Sequence, residues 1–313
     1  MPELPEVETI RLGLQKKIIG LEIKSIEIFN PKTFQGNQNS VLNAKVVKTW
    51  RAAKMLGIDL EKKRHSRAGG NPINKRTKSE KQIQDSGQAR MTILFHLKMS
   101  GQVIYQDKKS TFAGGHPTLD MKDAMPNKST RVEFTFSDNS KMYFNDQRKF
   151  GWVKVINTNE LSQNTFYKGL GPEPLDKKFT VDVLKERLLK HRNWPVKVVI
   201  MDQSTISGIG NIYAAEACFD AKLDPRVKVS EMNDNDFSEL HKGIIRSLND
   251  GIKYGGSSRA NFVNAEGERG LFLDYAYVYG RKGEACKKCK KPIEKIVLAG
   301  RGTFFCPNCQ KKK

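Results

Sequence analysis

Four cysteines near the end of the 313-residue sequence have the spacing of a metal site. Cys286, Cys289, Cys306 and Cys309 form two CxxC pairs separated by sixteen residues. Two such pairs supply four thiolates to one tetrahedral Zn²⁺. Two disulfides are the alternative, but they need an oxidising compartment that nothing in the sequence indicates. The spacing predicts one structural zinc ion, whereas Cys218 falls in an apolar helical segment and is interpreted as a packing residue.

The first residues could supply a nucleophile. Removal of Met1, expected before the small Pro2, exposes a secondary amine beside the carboxyl group of Glu3. Such an amine can attack an electrophilic carbon and form an iminium, and a neighbouring carboxylic acid can transfer a proton. The alternative is a proline-rich start that only leads into a helix, because Pro5 suits the first helical turn.

Two segments combine an apolar side chain with a cation or a histidine. "NDQRKFGW" contains Arg148 and Phe150 at a predicted strand end, and "FHLKMSG" places Met99 three residues after His96. An exposed apolar side chain can fill space in a base stack while neighbouring cations hold phosphates or base edges. Ordinary strand packing is the alternative for each segment alone.

Two glycine-containing turns are further candidates. "SGIGN", which ends at Asn211, precedes a helix predicted to start near Ile212. Its amides and the helix N-terminus could bind a phosphate, with a plain turn as the alternative. Gly300 and Gly302 flank Arg301 and predict a tight turn that presents the guanidinium outward, either to a ligand or only to solvent.

The elements that must position these residues change in character along the chain. A helix is predicted first, because apolar residues recur at three- and four-residue steps. These are Val7, Ile10, Leu14 and Ile18. Residues 22–156 then indicate mainly β-strands, with a hairpin pattern in "VEFTFSDNSKMYFND". A helical period follows a Pro- and Gly-rich stretch, with Thr180 as the predicted N-cap of one helix.

We therefore predict an N-terminal domain over residues 1–157, a linker over 158–179, a helical domain over 180–275 and a C-terminal module over 276–313. Residues 62–90 contain nine Lys and Arg but few apolar side chains. Such a segment cannot bury enough apolar surface to offset its ordering entropy, so a disordered insertion is predicted there.

The overall charge indicates nucleic acid as the partner. The net charge is +21, and residues 62–90 contribute +7 of it, which leaves +14 on the remainder. No apolar run is long enough to span a bilayer, and the N-terminus lacks the apolar region of a signal peptide. A cytoplasmic protein that does not act in a membrane is expected.

Seven segments occur in the order found in bacterial formamidopyrimidine-DNA glycosylases, and the sequence resembles this family from Met1 to about Gln310, apart from residues 62–90. The segments are MPELPEVETI, WRAAKM, FHLKMSG, NDQRKFG, SGIGNIYAAE, YVYGRKGEACKKC and GRGTFFCPNCQ. The resemblance implies a multidomain α+β fold. Its expected parts are an N-terminal helix with a β-sandwich, a helix–two-turns–helix DNA-binding domain with a lesion-capping loop, and a C-terminal zinc-ribbon finger.

The resemblance also implies an activity: a bifunctional glycosylase and AP lyase of base-excision repair that removes 8-oxoguanine and formamidopyrimidines through an N-terminal proline Schiff base. The implied catalytic residues are Pro2, Glu3, Lys54 and Arg301. The implied DNA contacts are His96, Met99, Ser129, Arg148, Phe150, Arg192 and Asn211. Ser129 stands where the family often has a histidine. The expected partner is damaged double-stranded DNA, which would associate the protein with the nucleoid, and a monomer without an obligate protein partner is expected.

Two other functions remain open at this point. An endonuclease VIII-like enzyme would remove oxidised pyrimidines, although the L-P-E-V-E-T form of the N-terminus favours the purine-specific relative. A non-catalytic zinc-ribbon DNA-binding protein would account for the charge and the cysteines. It would give no role to Pro2 and Glu3.

Overall fold

The computed structural model describes residues 1–63, 88–116, 123–257 and 271–312. The core of the predicted insertion and most of the predicted lesion-capping loop, at 257–272, lie outside these residues.

Helix α1 (Leu4–Ile18) begins as predicted, with Pro5 in its first turn. The carboxylate of Glu6 accepts a hydrogen bond from the backbone N–H of Glu3 at 2.8 Å and so satisfies a donor at the helix start. The predicted apolar face is buried. Of the three residues before the helix, Pro2 and Glu3 are buried and only Met1 is exposed.

The described part of residues 22–157 forms ten strands in two sheets. The strands are β1 (Ile23–Ile28), β2 (Phe34–Gln35), β3 (Lys45–Ala52), β4 (Met55–Lys63), β5 (Gln88–His96), β6 (Gly101–Gln106), β7 (Thr111–Gly115), β8 (Thr130–Phe136), β9 (Lys141–Asp146) and β10 (Trp152–Asn157). One sheet has the order β1-β8-β9-β6-β7 and the other β2-β10-β5-β4-β3. Phe95 of the second sheet lies 5.8 Å from Phe134 of the first, ring centre to ring centre, so the sheets face each other across one core. The predicted sandwich is confirmed.

The flanks of the predicted insertion are strands, which corrects its boundaries. Lys62 pairs with Ala89, and Lys63 pairs with Gln88, at the end of the β4–β5 ladder. Ladder hydrogen bonds join backbone groups, so they continue where the side chains lack the apolar character on which the prediction rested. The predicted insertion is therefore not disordered at residues 62–63 and 88–90.

The helical part follows a linker that contains a short 3-10 helix (Thr158–Gln163) and α2 (Thr165–Lys168). Its helices are α3 (Val181–Leu189), α4 (Val196–Met201), α5 (Asn211–Asp220), α6 (Asp234–Lys253) and α7 (Phe272–Tyr275). The hydroxyl of Thr180 accepts from the N–H of Val183 at 3.3 Å, which confirms the predicted N-cap. These helices enclose a second core, and Leu4 of α1 belongs to it.

The C-terminal hairpin pairs β11 (Glu294–Leu298) with β12 (Arg301–Phe305). The turn is Ala299–Gly300, both at positive φ. Arg301 begins the second strand and does not lie in the turn, where it was predicted. Three backbone N–H groups at Tyr277, Val278 and Tyr279 donate to the buried Glu216 carboxylate and join this module to α5. Within the described ranges, no helix has the length and apolar character needed to cross a membrane.

Candidate active site

The carboxylate of Glu3 lies at the N-terminus of α5. It accepts hydrogen bonds from the N–H groups of Ile212 at 3.0 Å and Tyr213 at 3.4 Å, two of the helix donors that have no intrahelical partner. A Cβ on Gly210 would overlap this carboxyl group, so glycine permits the approach. The "SGIGN" turn was predicted as a possible phosphate site. In the structure the amides of Ile212 and Tyr213, in the helix that follows this turn, donate to Glu3.

The site brings opposite charges together away from water. Burial raises the pKa of Glu3, and the positive charge of Lys54 acts against that rise. Burial likewise lowers the pKa of Lys54, whose ammonium donates to the backbone carbonyl of Ile209 at 2.7 Å. Each group thus favours its neutral form more than it does in water, as groups that transfer protons require.

The chain terminus reaches the same cluster. Burial lowers the pKa of the N-terminal amine, and the charges of Glu3, Glu6, Lys54 and Arg301 all act on it. Met1 carries that amine here, so the nitrogen of Pro2 is an amide in the described chain. The structure therefore brings together the four predicted catalytic residues, which are separated by up to 299 positions in the sequence.

Glu6 completes the buried wall of the site. Its carboxylate accepts from the hydroxyl of Tyr213 at 2.7 Å and from the N–H of Ser257 at 2.8 Å, in addition to the N–H of Glu3. Burial raises the pKa of Tyr213 well above its usual value, so the phenol keeps its proton and acts as a donor. Neither residue was predicted from the sequence.

Asn211 is engaged within the protein. Its side-chain oxygen accepts from the ammonium of Lys197 at 2.5 Å, and its amide donates to the carbonyl of Gly302 at 2.9 Å. Burial lowers the pKa of Lys197 to about 8. A cavity of about 190 Å³ beside it is lined by Asp202 and Arg301, among others. Lys197 was not predicted from the sequence, because a lysine within an apolar helix carries no signal of such a role.

The candidate base-stack residues lie on two adjacent turns. Phe150 is 55% exposed, and the guanidinium of Arg148 lies 4.9 Å from the centre of its ring. Met99 is half-buried in the turn before β6. The buried Asp146 joins the turns, because its carboxylate accepts from the hydroxyl of Ser100 at 2.5 Å and from the N–H of Arg148 at 3.1 Å.

The other predicted DNA contacts differ in exposure. Arg192 is exposed in the connection between α3 and α4. His96 is 6% exposed, and its Nδ1 accepts from the N–H of Lys98 at 3.0 Å, which leaves Nε2 to carry the proton. Ser129 is only 2% exposed, so its position does not support the predicted phosphate contact. Ser129 immediately precedes β8, and its carbonyl accepts from the N–H of Asp146 at the end of β9, which explains the burial.

The four predicted cysteines fit one zinc ion. Their sulfur atoms lie within 4.8 Å of one another, with Cys289 and Cys306 at 3.4 Å and Cys286 and Cys309 at 3.9 Å. A tetrahedral ion with Zn–S bonds of about 2.3 Å places its sulfur ligands about 3.8 Å apart. None of the five cysteines forms a disulfide in the structure, and Cys218 lies apart, buried in the helical core.

Three family models match the chain in sequence order. The formamidopyrimidine-DNA glycosylase N-terminal domain matches residues 1–153, the formamidopyrimidine-DNA glycosylase H2TH domain matches 170–262, and the zinc finger found in FPG and IleRS matches 283–312. These matches agree with the sandwich, the helical part and the hairpin described above.

Whole proteins and solved structures agree with these matches. Formamidopyrimidine-DNA glycosylases from Desulforamulus reducens and Bacillus licheniformis are 33% and 34% identical to the chain, and each alignment covers 100% of both sequences. A Lactococcus lactis Fpg mutant in complex with Fapy-dG-containing DNA has a TM-score of 0.78 at 29% identity, over 99% of this chain and 100% of that one. The MutM (Fpg) protein of Thermus thermophilus has a TM-score of 0.77 at 27% identity, over 100% of each chain. In sequence and in fold, the chain belongs to the formamidopyrimidine-DNA glycosylase family.

Proposed function

We propose that this protein is a bifunctional DNA glycosylase and AP lyase of base-excision repair that removes oxidised purines, 8-oxoguanine and formamidopyrimidines among them. The observation that carries the proposal is the convergence of the chain terminus, Glu3, Lys54 and Arg301 at one helix N-terminus. The relatives' names and the Fapy-dG in a related complex support the substrate class.

The first step is displacement of the damaged base. With Met1 removed, the lone pair of the Pro2 nitrogen forms a bond to C1′ while the bond from C1′ to the base breaks. The base leaves with that bonding pair and takes up one proton, and the Pro2 nitrogen gives up its own proton. Glu3 donates a proton to the sugar ring oxygen as the ring opens, and the raised pKa of this carboxyl supports that role. The product is an iminium between Pro2 and C1′.

Strand cleavage follows from the iminium. The positive nitrogen withdraws electrons, so the C2′ proton becomes acidic and a proton acceptor can remove it. The bond from C3′ to its phosphate oxygen then breaks by β-elimination. A second elimination releases the other phosphate. The charges of Lys54 and Arg301 act on the amine, and we propose that they stabilise the departing phosphates.

The damaged nucleotide must leave the duplex to meet a buried amine, at a cost of a few kcal/mol. We propose that Met99, Arg148 and Phe150 fill the vacated space and that Arg148 contacts the unpaired cytosine. The exposure of the Arg148–Phe150 pair supports this assignment. His96, Asn211 and Arg192 are proposed to contact the flanking backbone.

Borohydride trapping tests the proposal. Protein with Met1 removed should form a covalent adduct with an 8-oxoguanine:C duplex, because borohydride reduces the iminium to a stable amine. The matched control is the same chain with an added N-terminal residue, in which the Pro2 nitrogen remains an amide. Glu3→Gln should also lose the adduct. Absence of the adduct from the processed protein would refute the lyase.

A second duplex distinguishes the purine enzyme from the endonuclease VIII-like one. Single-turnover cleavage of 8-oxoguanine:C should be faster than that of thymine glycol:A. The reverse order would replace the purine specificity with a pyrimidine one while leaving the amine chemistry intact.

We further propose that the protein acts as a monomer in the cytoplasm, associated with the nucleoid through DNA. The proposed active site is built from one chain, since every residue named above comes from it. The bacterial origin of the relatives supports this location.

A further inference from the structure

The turn that carries Lys54 contains a residue in an unfavourable conformation. Ala52 pairs with Met55, so β3 and β4 are joined by Ala53 and Lys54 alone. Ala53 has a φ of 53°, in the left-handed region that side chains other than glycine rarely adopt, and it is 1% exposed. The surrounding structure must therefore hold this turn in place.

Both polar backbone groups of Ala53 have side-chain partners. Its N–H donates to Oε2 of Glu173 at 2.9 Å, and its carbonyl accepts from Nη1 of Arg51 at 3.0 Å. The same Nη1 lies 2.6 Å from Oε1 of Glu173. The three contacts close a ring around the peptide groups that precede Lys54.

The ring is connected to α1 on one side and to the helical part on the other. Glu8 of α1 pairs with Nε of Arg51 at 3.1 Å. On the other side, the linker around Glu173 is tied to the helical part, because the N–H of Gly171 donates to the carbonyl of Gln203 at 2.8 Å. The ammonium of Lys54 donates a hydrogen bond to the carbonyl of Ile209, which lies six residues after Gln203. The position of Lys54 thus depends on both α1 and the helical part.

We propose that Glu173, acting with Arg51, is a positioning residue that holds the Ala53 turn and thereby places the Lys54 ammonium in the active site. The inference rests on the proposed function, because it assigns Glu173 to the chemistry only through Lys54. Glu173 touches neither the amine nor the DNA in this scheme. Glu173 could not be predicted from the sequence, since a glutamate in a Pro- and Gly-rich linker is usually a solvated side chain.

A double-mutant cycle tests the inference. Single-turnover excision of 8-oxoguanine is measured for the wild type, Glu173→Gln, Lys54→Ala and the double variant. Glutamine has the size of glutamate but presents an N–H₂ group to one of the two donors, so the turn loses a partner. We expect Glu173→Gln to slow excision about tenfold, with the Kd for uncleaved DNA unchanged. The double variant should be no slower than Lys54→Ala alone.

Two further variants separate positioning from general stability. Glu133→Gln breaks the ion pair between Glu133 of β8 and Lys141 of β9. This pair has the same 2.6 Å length as the Arg51–Glu173 pair but lies in the sheet that does not contain β3, so excision should be unchanged. Ala53→Gly should restore part of the rate lost in Glu173→Gln, because glycine adopts a positive φ without strain.

The inference is overturned if Glu173→Gln slows the Lys54→Ala background by the same factor as the wild type, since that result describes a general structural role. It is also overturned if excision by Glu173→Gln equals that of the wild type. Failure of the proposed function gives a different result: the processed wild-type protein then shows no excision and no trapped adduct, and the inference fails with it.

Discussion

His96 illustrates how burial determines the kind of contact that a residue can make. Burial, assisted by the charge of Lys98, lowers its pKa to about 3. The imidazole is therefore neutral near pH 7, and its Nε2–H can donate to a phosphate without adding a charge. Arg192, in contrast, is an exposed cation.

This difference predicts two distinct salt dependences. Each phosphate that a cation neutralises contributes about −0.9 to the slope of log K against log salt. Arg192→Ala should make the slope shallower by about this amount, whereas His96→Ala should weaken binding with the slope unchanged. Fluorescence anisotropy over a potassium chloride series measures both. A shallower slope for His96→Ala would contradict a neutral imidazole.

Glu3 should reduce stability in return for its chemistry. Its pKa is raised in the folded protein, so the unfolded chain loses this proton first as the pH rises. Folding stability then falls from the unfolded-state pKa, near 4.5, up to the folded-state pKa, and the loss is complete above it.

Glu3→Gln should therefore raise the melting temperature at pH 7 by about 2–4 °C while abolishing excision. The gain in melting temperature should disappear below pH 4.5, where Glu3 of the wild type is protonated in both the folded and the unfolded state. Differential scanning calorimetry across this range checks the sign, and an equal gain at pH 4 and pH 7 would show that ionisation is not its source.

At the scale of elements, the β4–β5 hairpin shows that the chain around residues 64–87 is closed by its flanking strands. The backbones of Lys63 and Gln88 are paired neighbours, so the segment begins and ends at one place on the sheet. Replacing a segment whose ends already meet requires no rearrangement of the strands.

Replacing residues 64–87 with an Asn-Gly turn should therefore preserve the fold and the activity. We expect the melting temperature to stay within about 2 °C and excision to stay within about twofold, because the turn matches the twist of an antiparallel pair. The salt slope of DNA binding should also be unchanged. A shallower slope would show that these lysines contact DNA.

Local patterns predicted the elements better than the contacts between them. The apolar steps of α1, the cap at Thr180 and the cysteine spacing are signals within a few neighbouring residues, and the structure confirms each. The association of Glu3 with α5 spans more than 200 residues, so only the resemblance to a family could place both in one site. Asp146 and Glu216 had no signal, because nothing in a sequence distinguishes a buried acidic side chain from a solvated one.

At the scale of the whole molecule, the zinc module depends on the helical part for its position. Gln310 bridges the two: its amide oxygen accepts from the N–H of Cys306 at 2.8 Å, and its nitrogen donates to the carbonyl of Leu223 at 3.0 Å. Together with Glu216 and Asn211, this contact fixes Arg301 relative to Lys197 and the N-terminus.

Removing the metal should therefore disable the site without unfolding the sandwich. Dialysis against a strong chelator should abolish excision and DNA binding. The hairpin that carries Arg301 would lose the zinc ion that joins the two cysteine pairs on either side of it. Circular dichroism should retain the strand signal, and added Zn²⁺ should restore activity. Full activity in protein shown by metal analysis to be zinc-free would contradict this prediction.

The division of α1 between two cores has a consequence for any attempt to dissect the protein. Leu4 packs among the helices, whereas Val7 and the apolar residues after it pack under the sheets. A gene fragment cut within residues 158–179 would yield one piece with an uncovered leucine at its tip and another whose α5 amides had lost their carboxylate. Neither piece would contain a complete active site. Mixing the two should restore a working nucleophile only when they associate again through the first turn of α1.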